Sequence, residues 1–199
     1  MKPPRYRGST AIEIIPMAGA KRPDMPTKKT VVTTVMSNAG LETAIAGAGG
    51  RVVRTGVGDR YVIDEMLRHG CNFGGEQSGH LIFRDYSTTG DGLVAALQIL
   101  RIMRTRNQPL SRLAQCWARV PQIVADIFVR EKRPFEELDQ VQQLVADAGA
   151  ELKGQGGRVL LRYSGTEPKA RLLLEGRDGA TLQKWARRIS EAIQKQIGR

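Results

Sequence analysis

The stretch Thr30-Val31-Val32-Thr33-Thr34-Val35 decides how the chain folds, because every residue in it is β-branched. Such a run is typical of a buried strand. Ser37 and Asn38 then offer N-cap side chains, and the small residues of 41–48 precede a Gly-Gly pair. This order predicts a strand followed by a short helix.

Strands and helices are expected to alternate in the same way on both sides of a linker around 104–109. Segment 92–104 has apolar residues at helical spacing, namely Leu93, Ala96, Leu97, Leu100 and Met103. Asn72–Gly75 is expected to lead into a turn. The other expected elements are strands at 51–55, 80–83, 123–129, 158–163 and 170–175, and helices at 61–68, 110–117, 135–148 and 182–197. The elements before the linker predict an α/β layer, and those after it predict a smaller α+β domain.

Charge is distributed unevenly along the 199 residues, whose formal net charge is +11. Residues 1–30 carry a net +5, residues 31–105 a net 0 and residues 106–199 a net +6. A basic chain favours an acidic or uncharged partner over a basic one. Aromatic residues make up only 5%, and the central segment is neutral, so we expect no nucleic-acid partner.

Composition also argues against several other classes. No run of about 18 apolar residues is present, so we expect no membrane partner. The prolines and basic residues of 1–29 do not resemble a secretory signal, and Cys71 and Cys116 lie too far apart for a metal motif. We therefore expect a cytoplasmic protein. Residues 1–29 are interpreted as a basic irregular arm, although Ala11–Ile15 could instead be a strand packed on the body.

The first motif that could carry chemistry is Gly74–His80. If this segment is extended, Glu76, Ser78 and His80 point the same way, because side chains alternate along a strand. A carboxylate, a hydroxyl and an imidazole suit a polyol such as a sugar ring. The alternative is a glycine-rich hairpin whose polar side chains face water.

The second motif is Arg162–Pro168, with Arg171 beyond it. Hydroxyl groups, a glycine and a flanking guanidinium form a plausible phosphate cradle. The alternative is an ordinary hairpin turn between two strands. A third motif, Gly58-Asp59-Arg60, either caps a helix or lines a pocket.

Five segments appear in the order found in one known family. From about Thr30 onward the chain resembles the C-terminal half of the bacterial phosphoglucosamine mutase family, within the α-D-phosphohexomutase superfamily. The segments that carry the resemblance are Val35–Leu41, Val57–Val62, Gly74–His80, Ser87–Gly92 and Arg162–Arg171.

The resemblance implies a specific fold and activity. It implies a three-layer α/β domain with a mixed sheet over 30–106, the family's third domain. It also implies an α+β domain with an antiparallel sheet and two helices over 107–199, the fourth domain. The arm at 1–29 has no expected counterpart in the family. The family interconverts glucosamine 6-phosphate and glucosamine 1-phosphate, which feeds UDP-N-acetylglucosamine and cell-wall synthesis.

Site residues are also implied by the resemblance. Glu76 and Ser78 would bind the sugar, with His80 nearby as a proton-transfer or positioning group. Asp59 and Arg60 would line the sugar side. The residues that would hold the substrate phosphate are Arg162, Ser164, Gly165, Thr166 and Arg171.

The chain also departs from the family pattern. It contains no Ser-His-Asn-Pro-like phosphoserine loop and no Asp-x-Asp-x-Asp metal loop. Full-length members use Mg²⁺, but we expect no cofactor in this chain and no activity from it alone. Expected partners are a phosphosugar and either the N-terminal domains of the same enzyme or a second copy. Alternatives are a non-catalytic phosphosugar-binding or regulatory module, or a relative in the phosphomannomutase/phosphoglucomutase branch.

Overall fold

A computed structural model describes residues 30–115 and 117–199. The arm at 1–29, its apolar patch and Cys116 lie outside this range. The chain divides into two compact units, one ending at Arg119 and one spanning Val120–Arg199. This division falls later than the 106/107 boundary expected from the linker. Among the described residues, no helix is both long and apolar enough to span a bilayer.

The first unit is built on a four-stranded sheet of order β2-β1-β3-β4. Strand β1 runs parallel to β2 and β3, whereas β4 is antiparallel to β3, so the expected mixed sheet is confirmed. The elements of this unit are β1 (Thr30–Thr34), α1 (Gly40–Gly47), β2 (Arg51–Thr55), α2 (Asp59–His69), β3 (Phe73–Gly75), β4 (Leu81–Phe83), α3 (Gly92–Arg106) and α4 (Leu110–Leu113).

Helices cover both faces of this sheet, because successive side chains of a strand point to opposite sides. Val31 packs in one apolar cluster with Leu41 of α1 and Ala95 of α3. Its neighbour Val32 packs in a second cluster with Val62 and Met66 of α2. The three-layer arrangement expected for this unit is therefore confirmed.

Strand β3 lies where the sequence predicts only a lead into a turn. Its two glycines allow other groups to approach closely. A Cβ on Gly74 would lie 2.9 Å from the Val32 carbonyl oxygen, and one on Gly75 would lie 2.5 Å from that of His80. The expected turn does follow this segment, but the strand itself was not predicted, because its glycines serve close packing within a sheet.

Helix α3 is confirmed, but the apolar residues singled out in the sequence do not form its core face. Val94, Ala95, Ile99 and Ile102 pack against the sheet instead. The helix is therefore apolar on more than one side.

The second unit has a three-stranded antiparallel sheet of order β5-β7-β6. Two long helices pack on one face of this sheet, as expected, and their core includes Leu152, Leu172 and Ile189. The segment expected to be helical from Phe135 begins instead as a 3-10 turn, Phe135–Glu137. The other elements are β5 (Gln122–Phe128), α5 (Asp139–Lys153), β6 (Arg158–Tyr163), β7 (Lys169–Glu175) and α6 (Gly179–Ile197).

Candidate functional site

The candidate sugar site lies at one edge of the first sheet. Parallel strands end together, and the crevice beyond their carboxyl ends is the usual ligand position in α/β sheets. Strand β2 ends at Thr55 and β3 ends at Gly75, so the loops that follow them bring Asp59 and Glu76 to the same edge. The fold thus brings together two carboxylates that are well separated in the sequence.

The segment from Glu76 to His80 is a tight turn. The Glu76 amide donates to the His80 carbonyl at 2.9 Å, and the Gly79 amide donates to the Glu76 carbonyl at 3.1 Å. Gly79 has a φ of 104°, which favours glycine. Of the two alternatives for this backbone, the extended segment is excluded, because a turn closes the β3–β4 hairpin.

The turn nevertheless gathers the three side chains that the motif contains. Ser78 Oγ donates to Glu76 Oε2 at 3.2 Å. His80 Nδ1 lies 3.4 Å from Ser78 Oγ and 3.6 Å from Glu76 Oε2. A carboxylate, a hydroxyl and an imidazole thus form one polar cluster, although turn geometry rather than strand alternation brings them together.

Glu76 is buried, with a side chain only 9% exposed. Its Oε1 accepts a hydrogen bond from the Gly58 amide at 2.8 Å. Gly58 has a φ of 137°, so a side chain there would be strained. The loop before α2 therefore fixes the orientation of the buried carboxylate.

Asp59 joins this cluster from the first turn of α2. Its Oδ1 lies 3.4 Å from His80 Nδ1. Burial raises the pKa of Asp59; His80 opposes that rise and the nearby Glu76 carboxylate adds to it. Arg60 does not join the cluster: its side chain is 90% exposed and pairs with Asp64 at 3.8 Å.

The cluster does not suit magnesium. Among the described residues, Asp59, Glu76 and His80 offer ligand atoms within 4.8 Å of one another. Mg²⁺ prefers octahedral oxygen ligands. Here one donor is an imidazole, and both oxygens of Glu76 already accept hydrogen bonds. We therefore assign no metal chemistry to this cluster.

A buried hydroxyl network supports the same edge, and the sequence analysis did not identify it. Thr33 Oγ1 donates to the Gly75 carbonyl at 2.9 Å and lies 2.5 Å from Ser37 Oγ. Arg54 donates to the Ser37 carbonyl at 2.6 Å. The sequence feature that could have identified this network is a threonine within a predicted buried strand. A buried hydroxyl group needs a hydrogen-bond partner.

The candidate phosphate site lies in the second unit, on the strand pair β6–β7. Arg162 and Arg171 are direct register partners. Ala170 and Leu172 face the helices, so Arg171 points to the opposite face of the sheet. This register places two guanidinium groups, which repel each other, side by side on one face of the sheet.

The loop between these strands has a buried end and an open tip. Ser164 is buried, and its Oγ accepts from the Glu167 amide at 3.3 Å. Lys132 donates to the Ser164 carbonyl at 2.7 Å. Gly165 and Thr166 are exposed, and a Cβ on Gly165 would meet nothing within 4 Å. An anion could therefore approach the tip from solvent.

Arg171 is flanked by two carboxylates that the sequence analysis did not include in the site. Its Nη2 donates to Glu167 Oε2 at 3.0 Å, and its Nε lies 3.3 Å from Asp126 Oδ1. Lys169 donates to Glu167 Oε1 at 2.7 Å, and this bond, more than any other interaction, lowers the pKa of Glu167. The period-two spacing of Glu167, Lys169 and Arg171 could have identified Glu167, whereas no local pattern identifies Asp126.

Comparison with known families covers most of the chain. The model described as phosphoglucomutase/phosphomannomutase, alpha/beta/alpha domain III, matches residues 11–120. The model described as phosphoglucomutase/phosphomannomutase, C-terminal domain, matches residues 110–192. The first match begins at residue 11, so the expectation that the whole of 1–29 lacks a family counterpart is wrong.

Curated relatives give a consistent picture. A phosphoglucosamine mutase from Anaeromyxobacter sp. (strain Fw109-5) is 54% identical over 171 residues, which are 86% of this chain and 36% of that protein. A phosphoglucosamine mutase from Myxococcus xanthus (strain DK1622) is 52% identical over 170 residues, which are 85% of this chain and 37% of that protein. The chain thus spans little more than a third of these relatives.

Solved structures share the fold at low sequence identity. An N-acetylglucosamine-phosphate mutase of the α-D-phosphohexomutase superfamily, in a substrate complex, matches with a TM-score of 0.75 and 17% identity over 94% of this chain and 43% of its own. An Aspergillus fumigatus N-acetylphosphoglucosamine mutase, in complex with GlcNAc-6P and magnesium, matches with a TM-score of 0.73 and 17% identity over 93% of this chain and 45% of its own.

The domain order, the described folds and the extent of the family matches all agree. The chain therefore belongs to the phosphoglucomutase/phosphomannomutase family and carries its domain III and its C-terminal domain.

Proposed function

We propose that this chain is the phosphosugar-binding C-terminal portion of a phosphoglucosamine mutase. The observation that carries the proposal is the convergence of Asp59, Glu76, Ser78 and His80 at the edge of the first sheet. The relatives named phosphoglucosamine mutase, at about half identity, favour an amino sugar phosphate as the ligand.

The first unit has the chemistry needed to bind sugar hydroxyls. The buried carboxylate of Glu76 accepts hydrogen bonds, and the Ser78 hydroxyl that it now holds can donate to or accept from a ligand instead. The exposed His80 ring either donates or accepts, depending on its tautomer. Asp59 adds a second carboxyl group, which can accept hydrogen bonds from sugar hydroxyls.

The second unit has the chemistry needed to bind a phosphate group. Arg162 and the open tip at Gly165 and Thr166 offer a guanidinium, backbone amides and a hydroxyl. Arg171 lies beside Arg162 as its register partner and also pairs with Asp126 and Glu167, and we assign both guanidinium groups to the phosphate contact.

We further propose that the chain does not catalyse phosphoryl transfer alone. Transfer needs a nucleophile and a metal-stabilised phosphoryl group, and the sequence contains neither family loop that would supply them. A mutase assay of the purified chain with a hexosamine bisphosphate activator should give no turnover, and measurable turnover would contradict this part of the proposal.

Titration calorimetry tests ligand choice. Glucosamine 6-phosphate should bind more tightly than glucose 6-phosphate, and unphosphorylated glucosamine should not bind measurably. We expect weak affinity, because the chain spans little more than a third of these relatives' length and the purified chain lacks any contacts that the remaining length supplies. Tighter binding of glucose 6-phosphate would instead favour the phosphomannomutase/phosphoglucomutase branch.

A further inference from the structure

Lys132 contacts the candidate phosphate loop, although it lies outside the motif that forms this loop. Its Nζ donates to the Ser164 carbonyl at 2.7 Å. Ser164 is the buried first residue of the loop between β6 and β7. Its carbonyl group belongs to the same peptide unit as the Gly165 amide. A cation from a distant part of the sequence therefore holds the first peptide unit of the loop.

The planarity of this peptide unit determines where the Gly165 amide points. Among the described residues, every peptide bond is trans. In a planar trans unit, the carbonyl oxygen and the amide hydrogen point in opposite directions. Because the Ser164 carbonyl oxygen points toward Lys132, the Gly165 amide hydrogen points away from it. Lys132 thus sets the direction of this amide through the carbonyl group of the same unit.

The Gly165 amide is available to a ligand. In the part of the chain that the structure describes, neither this amide nor that of Thr166 donates a hydrogen bond. Both residues are exposed, and a Cβ on Gly165 would meet nothing within 4 Å. Successive backbone amides at a turn can bind an anion. The direction of the Gly165 amide therefore matters for how the loop binds a phosphate group.

The segment that carries Lys132 is anchored on both sides of this residue. The Val129 amide donates to the Pro168 carbonyl at 3.0 Å. On the other side, Tyr163 Oη donates to the Arg133 carbonyl at 2.6 Å. Tyr163 precedes the phosphate loop and Pro168 is its last residue. These bonds hold the backbone around Lys132 close to both ends of the loop.

We propose that Lys132 is a positioning residue that aims the Gly165 amide at a bound phosphate group. A charged donor on the carbonyl oxygen also polarises the peptide unit, which strengthens the amide as a hydrogen-bond donor. Lys132 acts through the backbone in this role, whereas Arg162 and Arg171 are assigned direct contacts. The inference rests on the proposed function only for the sugar that carries the phosphate.

Amide spectra of the ¹⁵N-labelled full chain, titrated with inorganic phosphate at constant ionic strength, test this role. In wild type, the Gly165 signal should shift and saturate. Lys132→Met should weaken phosphate binding about fivefold or more, because the amide is no longer held toward the anion. Its Gly165 signal should also shift less at saturation. Lys132→Arg keeps a charged donor and should restore both the affinity and the shift.

Lys153→Met is the control for the loss of one positive charge. Lys153 is an exposed lysine in the last turn of α5, and its variant should bind phosphate as wild type does. Urea midpoints show whether each variant is folded. Lys132→Gln keeps an uncharged donor, and its Gly165 shift should lie between those of wild type and Lys132→Met.

Two results would overturn the role of Lys132. The first is a wild-type Gly165 signal that does not respond to phosphate. The second is a Gly165 signal that shifts as far in the folded methionine and glutamine variants as in wild type. Titration with glucosamine 6-phosphate separates this inference from the proposed function. If inorganic phosphate gives the expected shifts but glucosamine 6-phosphate does not bind, the proposed function fails and the role of Lys132 stands.

Discussion

The Gly58 amide donates to Glu76 Oε1 at 2.8 Å, and this bond joins the loop before α2 to the turn after β3. The two residues are far apart in sequence, yet the parallel strands β2 and β3 end at the same edge of the sheet. A buried carboxylate without a partner would be costly. The bond therefore holds the Glu76 side chain oriented toward Ser78 and His80.

Gly58→Ala should disturb both the fold and the sugar site. Gly58 has a φ of 137°, and a non-glycine residue in such a conformation costs about 1–3 kcal/mol. Urea unfolding should show this loss in the free energy of unfolding. Gly47→Ala is the control: it lies at the end of α1, where an added Cβ meets nothing within 4 Å, and it should be neutral or stabilising. Equal stability of the two variants would contradict the role given to Gly58.

Asp59→Asn should stabilise the protein at neutral pH. Burial raises the pKa of Asp59 above its usual 3.8, so the folded state holds the proton more tightly than the unfolded chain. The contribution of Asp59 to stability is full below the usual pKa and is lost as the pH rises through the raised pKa. Thermal unfolding should therefore show a higher Tm for the variant at pH 7 and a difference that narrows toward pH 3.5.

The control for Asp59→Asn is Asp147→Asn, an exposed aspartate on α5. Its effect on Tm should be small at both pH values. A Tm for Asp59→Asn below that of wild type at pH 7 would show that the attraction of His80 outweighs the burial of this carboxylate.

Thr33→Val should weaken the first unit without changing its shape. The substitution keeps the β-branch but removes the hydroxyl that donates to the Gly75 carbonyl and pairs with Ser37. Leaving buried partners unsatisfied costs about 1–3 kcal/mol. Chemical denaturation measures the loss, and Thr105→Val, at an exposed site on α3, should change the free energy of unfolding by about 0.5 kcal/mol or less. A neutral Thr33→Val would mean that the network does not support the site edge.

The sequence predicted the layers and the order of elements well, because these follow from hydrophobic periodicity. Thr30–Thr34 is entirely buried, and its β-branched run was sufficient to identify a buried strand. Strand β3 was missed because Gly74 and Gly75 resemble turn residues. Their actual role, close backbone packing, depends on neighbours that are distant in sequence.

The candidate site was predicted only in part for similar reasons. Glu76, Ser78 and His80 lie within one motif, so a local pattern could identify them, although the assumed backbone was wrong. Asp126 faces Arg171 only because β5 pairs with β7, and no local spacing contains that information. The sequence analysis lacked the register between strands that are distant in sequence, and this register places Asp126 beside Arg171.

The central claim is that the first unit supplies contacts for sugar hydroxyls and the second supplies contacts for a phosphate group. Glu76→Gln and Arg162→Ala separate these contacts, since the first removes a charge in the sugar cluster and the second removes a guanidinium beside the phosphate loop. A hydrogen bond to a charged group contributes about 1.5–3 kcal/mol, which corresponds to roughly a 10- to 100-fold change in affinity. Arg187→Ala, an exposed arginine on α6, is the charge-matched control for Arg162→Ala.

The most direct measurement is titration calorimetry of both variants with glucosamine 6-phosphate and with inorganic phosphate. Glu76→Gln should weaken glucosamine 6-phosphate binding about tenfold or more and leave phosphate binding unchanged. Arg162→Ala should weaken the binding of both ligands, while Arg187→Ala should weaken neither. If Glu76→Gln weakens both ligands equally, or if Arg162→Ala leaves phosphate binding intact, the division between sugar and phosphate contacts is contradicted.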